Sequence, residues 1–147
     1  MEDKRLVNRI INYWNALRKD APMPQWEQLN AGALEDIWPQ CCAWRVEAGN
    51  DSTPSYTYEY VGTGIKEVLG VDPTGVMFTS HFRNFPGARI VRKMDDVVKT
   101  LSPLTDSAQF VNEQNKVVKC RSCLLPCGNK QGRVTHVVLA LSWKDFG

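Results

Sequence analysis

Two histidines in 147 residues, and no apolar run approaching a membrane span, are the first constraints this chain imposes. A metal or haem centre would have only His81, in SHFRNFPGAR, and His136, between Thr135 and Val137, to draw on. A membrane helix needs about 20 consecutive apolar residues. The amino terminus, MEDKRLVNRIINYW, starts with acids and has only short apolar runs, so neither a span nor a signal-peptide core is read there. Charge of one sign is not in excess either. With 18 basic and 16 acidic residues and a net charge of +2, the chain lacks the basic stripe of a nucleic-acid binder. A cytoplasmic protein with no nucleic-acid and no membrane partner is expected. Five cysteines, three of them within CRSCLLPC, do not form the evenly spaced framework of a secreted disulfide domain, so reduced thiols are expected.

Catalytic signatures are missing as well. There is no Gly-x-Ser-x-Gly elbow, no phosphate-cradling Gly-x-x-x-x-Gly-Lys-Ser/Thr loop and no His-Glu-x-x-His helix. GTGIKEVLG lacks the third glycine and the parallel βαβ context of a dinucleotide loop. Asp95-Asp96 and Glu35-Asp36 are adjacent in expected helices, where neighbours point apart, so neither is an acid and base pair. The chain reads as a non-enzyme.

What is present is periodic structure. A length of 147 residues at 43% hydrophobic content suits one domain over 1–147, with a helical lead-in over 1–30 and a core over 33–147. From Lys4 to Lys19, Leu6, Val7, Ile10, Ile11, Tyr13, Trp14 and Leu17 recur at helical spacing. That stripe is wide enough for two readings, packing on its own domain alone or also on a second copy, with Val7, Ile11 and Trp14 as the dimerisation residues. A short helix is expected over Ala33–Trp38, stopped by Pro39, and a strand over Cys41–Glu47. A loop from Gly49 to Ser55 leads to YTYEYV, where strict alternation puts Tyr56, Tyr58 and Tyr60 on one face. Gly62 ends that strand, Thr63 caps a helix with Ile65, Val68 and Leu69 on its apolar side, and Gly70 supplies a left-handed stop. Asp72-Pro73-Thr74-Gly75 has the order of a type I turn. The aromatic segment VMFTSHFRNF then leads to Pro86 in the first turn of the longest central helix, with Ile90, Val91, Met94, Val97, Val98 and Leu101 at helical spacing. Leu104–Glu113, Val117–Pro126 and Arg133–Trp143 read as an antiparallel meander. The fold class is α+β, a five-stranded antiparallel sheet with helices on one face and an N-terminal helical extension.

This order is the layout of a PAS domain. RIINYWNALRKDAPMPQWEQL, YEYVGTGIKEVLGVDPTG and LLPCGNKQGRVTHVVLALSW together resemble the small stand-alone PAS-like proteins found widely in alphaproteobacteria. The shared motifs are an opening helix with a Tyr-Trp pair followed by Pro-x-Pro, a strand ending in Val-Gly-Thr, a Leu-Gly-x-Asp-x-Thr-Gly turn and final strands beginning near Leu-Leu-Pro. They span nearly the whole chain and are structural, so the resemblance implies a sensory or regulatory module and names neither ligand nor cofactor. Flavin-photoreactive PAS domains carry an Asn-Cys-Arg core motif, which this chain lacks, and Lys119-Cys120-Arg121 falls in a late strand.

The leading expectation is a module that binds a small, largely apolar ligand between sheet and helices and signals through protein contact. Strand alternation and the resemblance assign its lining to Trp44, Tyr58, Tyr60, Phe78, His81, Phe82, Phe110, Val138 and Ala140. One alternative is an adaptor whose interior is closed by its own aromatics and whose opening helix forms homodimers. A further alternative is a thiol or metal switch built on Cys120, Cys123 and Cys127. In a strand, residues three apart face opposite sides roughly 10 Å apart, whereas zinc holds each sulfur at about 2.3 Å, so packing cysteines and no metal are expected. His136 is read as a half-buried sheet residue. His81, near a helix amino end and flanked by arginines, is read either as part of an anion site or as part of an aromatic plug.

Overall fold

A computed structural model describes residues 4–29, 35–48, 54–78, 87–111 and 113–146. Its centre is a five-stranded, wholly antiparallel sheet of β1 (Cys41–Ala48), β2 (Pro54–Val61), β3 (Leu104–Val111), β4 (Val117–Gly128) and β5 (Val134–Phe146), in the order β2-β1-β5-β4-β3. β5 lies in the middle because its run VVLALS is apolar on both faces. Val137, Leu139 and Leu141 are buried on one side, and Val138 and Ala140 on the other.

Both faces are covered. On one, α3 (Thr63–Leu69) and α4 (Gly87–Thr100) lay Ile65, Val68, Met94 and Val97 onto Cys42, Trp44, Tyr56, Tyr58, Val61, Cys120 and Leu124. On the other, α1 (Lys4–Arg18) and α2 (Trp26–Leu29) place Leu6, Val7, Ile10, Trp14 and Leu29 against Cys41, Ala43, Cys123, Leu125 and Cys127. We call these the helix-side and outer faces. An Arg9–Asp36 ion pair at 2.6 Å ties the outer-face helix to the approach to β1.

Several local expectations are corrected. The described part of the helix expected over 33–38 is a turn at 35–37 followed by a 3-10 segment, Trp38–Gln40. Pro39 sits in its first turn, where a missing N–H costs nothing, and so starts this helix instead of stopping one. Thr63 is the first residue of α3 and not its cap. Gly62 takes the cap position with no side-chain bond, and its N–H donates to the Cys41 carbonyl at 2.8 Å. Gly70 is left-handed as expected, with φ 79°. Pro86 lies outside the described residues.

The dimerisation reading fares differently. Val7 and Trp14 are 4% and 2% exposed within one chain, and Ile11 packs half-buried beside them. Trp14 also donates its indole N–H to the Pro126 carbonyl at 2.7 Å. Val7 and Trp14 are therefore used on the chain's own sheet, while Ile11 keeps part of its surface exposed.

Candidate functional site

The helix-side face carries an aromatic cluster. Trp44 on β1, Tyr58 on β2 and Phe78 at the end of the turn segment that follows α3 meet with ring centroids 5.1–5.5 Å apart and tilted or edge-on planes. Trp44 and Tyr58 are direct partners in the β1–β2 register. Phe78 is brought in because residues 75–77 run along the β2 edge: Gly75 N–H donates to the Tyr58 carbonyl at 2.8 Å, Tyr58 N–H donates to the Val76 carbonyl at 3.1 Å, and Thr57 bridges Met77. This short addition also covers part of an edge that the sheet would otherwise expose.

Burial sets the protonation of the groups in this cluster. Burial pushes the Tyr58 hydroxyl and the Cys42 thiol far above their ordinary values, so both stay protonated at every physiological pH. Tyr56, also fully buried, donates its hydroxyl to Asp95, linking β2 to α4 at the margin of the cluster. One group stands out. Trp44 is 1% exposed, and its Nε1–H, although close to the Tyr58 hydroxyl, makes no hydrogen bond of ordinary geometry among the described residues.

Of the expected lining, Trp44, Tyr58 and Phe78 come together here. Tyr60, Val138 and Ala140 do not, because all three face outward beneath the α1 layer. For Tyr60 the cause is a bulge: Ala43 pairs with Tyr60 and Trp44 with Tyr58, so Glu59 is an extra residue in β2 and the alternation reverses past it. The Tyr60 hydroxyl instead donates to the Trp38 carbonyl at 2.9 Å, and its ring meets the Trp38 indole edge-on. Val138 and Ala140 pair with Ala43 and Cys41 and share their face, while the opposite residues Val137 and Leu139 take the helix side. His81 and Phe82 lie outside the described residues. Phe110 lies on β3 opposite Val118, and its side chain is outside what is described. Cys42, Tyr56, Met94 and Val97 were missed as members of this wall. Cys42 shares the face of Trp44 by simple alternation, and the helical spacing of α4 already held Met94 and Val97.

The cysteines are separated as strand geometry demands. Cys120 faces the helices, whereas Cys123 and Cys127 face outward. Cys41 and Cys123 flank Ala140 from opposite sides. Two strand spacings put them roughly 9–10 Å apart, beyond the reach of a disulfide. Burial pushes the Cys123 thiol up to about 12 and raises those of Cys41 and Cys127 as well, so these are packing residues and poor nucleophiles. Among the described residues no three His, Cys, Asp or Glu side chains converge as metal ligands.

His136 is buried on the outer face. Trp26 stacks on its ring at 4.3 Å, and with the proton on Nε2 it donates to Glu59 at 2.9 Å while Nδ1 accepts from the Thr135 hydroxyl at 3.0 Å. Burial pulls the imidazole below its ordinary 6.5 against the opposing pull of Glu59. The unfolded chain therefore binds the extra proton more readily than the folded one. Stability from this site is full above about pH 6.5 and is lost as the pH falls toward the lower folded value. Chemical denaturation at a series of pH values should show this loss, and His136→Gln should flatten it. Asp36 and Asp72, whose carboxyls Arg9 and Thr74 hold below the ordinary 3.8, act only in a more acid window.

Comparison with known proteins supports the architecture. A family model described as PAS domain matches residues 3–142. No curated protein matches the chain. Among solved structures, the dark state of the blue-light photoreceptor Aureochrome1 LOV superposes with a TM-score of 0.56 at 12% identity, covering 76% of this chain and 80% of that one. A sensory box sensor histidine kinase from Vibrio cholerae gives 0.52 at 18%, covering 78% and 90%. The Drosophila melanogaster Cycle PAS-B domain gives 0.51 at 14%, covering 70% and 99%. At these identities the likeness is one of fold. No described helix is long and apolar enough to cross a membrane.

Proposed function

This chain belongs to the PAS domain family, and we propose on that premise that it is a non-catalytic sensory module that takes up a small, neutral, largely apolar ligand at Trp44, Tyr58 and Phe78. The observation that carries this reading is the buried Trp44 indole N–H, which lies close to the Tyr58 hydroxyl but has no hydrogen bond of ordinary geometry among the described residues. Such a donor costs about 1–3 kcal/mol when it is sealed from water. A ligand bearing one hydrogen-bond acceptor relieves that cost, and the three tilted rings offer faces and edges to a planar body. Trp44, Tyr58 and Phe78 bring no charge of their own, which favours a neutral ligand, because a charged one would be desolvated without compensation.

We assign His81, Phe82 and Phe110 to the same lining, the first two because they follow Phe78 by three and four residues in the sequence. The ligand state passes on through protein contact. α4, held to β2 by Tyr56 and Asp95 and resting Met94 and Val97 on the same cluster, is the element positioned to report it. The test is the Trp44 indole N–H resonance, which should move downfield when an acceptor-bearing ligand enters.

A further inference from the structure

A recess lies at the far end of α1. It is a cleft of about 380 Å³ between the end of α1, the turn at Pro22 and the linker from α4 to β3, lined by Trp14, Asn15, Arg18, Pro22 and residues 100–103. That volume is within the usual range for a small-ligand site, roughly 300–1,000 Å³. We propose that this cleft binds a small organic carboxylate, with the carboxylate on Arg18 and the apolar body against Trp14 and the prolines.

The Arg18 guanidinium is already positioned. Its Nε donates to Asn15 Oδ1 at 2.9 Å, its Nη1 donates to the Ala21 carbonyl at 3.0 Å, and its carbon stands 5.5 Å from the Trp14 ring centroid. Those bonds leave Nη2 available, on a side chain whose rotamer entropy has already been spent. The small part of Trp14 that reaches the cleft is ring and carries no free donor, because the N–H is committed to Pro126. Pro22 and Pro103 have no N–H, so these walls are apolar and rigid.

On the linker, the Ser102 hydroxyl is committed to the Thr100 carbonyl at 3.4 Å. The Ser102 N–H approaches Thr100 Oγ1 at 3.3 Å and so leaves the hydroxyl hydrogen of Thr100 free to point at a ligand. No carboxylate is among the residues lining the cleft, so its one formal charge is the positive charge of Arg18. The linker is also held in an unusual shape. Leu101, a bulky residue, has φ 60° and closes the end of α4 by donating its N–H to Val97, a position that glycine normally fills. Strain of this kind clusters at binding sites. Here it turns the Leu101 side chain into the outer-face core and sets Thr100 and Ser102 beside Arg18.

Benzoate and its neutral counterpart benzyl alcohol are the probes, followed through the Trp14 and Trp44 indole N–H resonances. Benzoate is expected to shift Trp14 saturably and leave Trp44 unmoved, with benzyl alcohol binding more weakly. Arg18→Gln should weaken benzoate at least tenfold, the loss expected of a hydrogen bond to a charged group, and Arg18→Lys should retain part of the affinity. An unchanged dispersed spectrum shows that each variant is folded. Equal binding by wild type and Arg18→Gln, equal binding of benzoate and benzyl alcohol, or no movement of Trp14 up to the solubility of benzoate would overturn the proposal. A shift confined to Trp44 would overturn it too and would move the carboxylate to the helix-side face. Because this site does not depend on the aromatic cluster, either proposal can fail while the other stands.

Discussion

Trp14→Ala is expected to destabilise the protein by about 3–5 kcal/mol, the range for emptying a buried aromatic site. The indole is 2% exposed, packs with Leu6, Val7 and Ile10 of the same helix onto the sheet, and gives its N–H to Pro126. Its loss therefore opens a cavity between α1 and β4 and also leaves a buried carbonyl without its donor. Trp14→Phe separates the two effects by keeping most of the ring and removing the bond, at about 1–3 kcal/mol. Urea unfolding followed by circular dichroism gives both numbers. A dimer-forming role for Trp14 would give a different pattern: loss of a dimer in sedimentation with the monomer's stability intact.

Gly62→Ala is expected to cost about 3 kcal/mol, the upper part of the range for overpacking. The cause is distance and not dihedral angle. Gly62 has φ −67° and ψ 154°, which alanine adopts freely, but an added methyl would meet the carbonyl oxygens of Trp38 and Pro39 at 2.4 Å. Neither oxygen can retreat cheaply, since Tyr60 holds the first and the 3-10 segment holds both. Gly75→Ala is the matched control. That position is left-handed at φ 85° with open space around it, so only about 1 kcal/mol of conformational cost applies. Thermal unfolding of the two variants should reproduce this order, and a reversal would show that the backbone of the 3-10 segment yields.

The strands, the two main helices and their order were legible because each carries its own period, and the outer-face helix announced itself in seven apolar positions at helical spacing. The errors have physical causes. Glu59 makes β2 bulge, and nothing in YTYEYV marks which residue will be unpaired, so alternation alone puts Tyr60 on the wrong face. Val138 and Ala140 sit in a strand apolar on both sides, where alternation has no polar face to fix its phase. The breadth of the α1 stripe could not say whether a sheet or a second copy would cover it; its fit to the small residues Ala43 and Ala140 and to Cys41 belongs to tertiary structure. Trp44, Tyr58 and Phe78 were readable as aromatics on expected elements. The Trp44 N–H without an ordinary hydrogen bond among the described residues was not.

The measurement that bears most directly on the proposed ligand site is the proton–nitrogen spectrum of the indole groups, with Trp44 assigned through Trp44→Phe. Neutral planar fragments carrying a single ring-nitrogen or carbonyl acceptor are added in turn. A ligand site at the aromatic cluster predicts that at least one fragment moves the Trp44 resonance downfield, saturably, while Trp14 stays in place. A Trp44 resonance that no fragment moves, in a protein that remains folded throughout, would contradict it and would make the three rings a closed core.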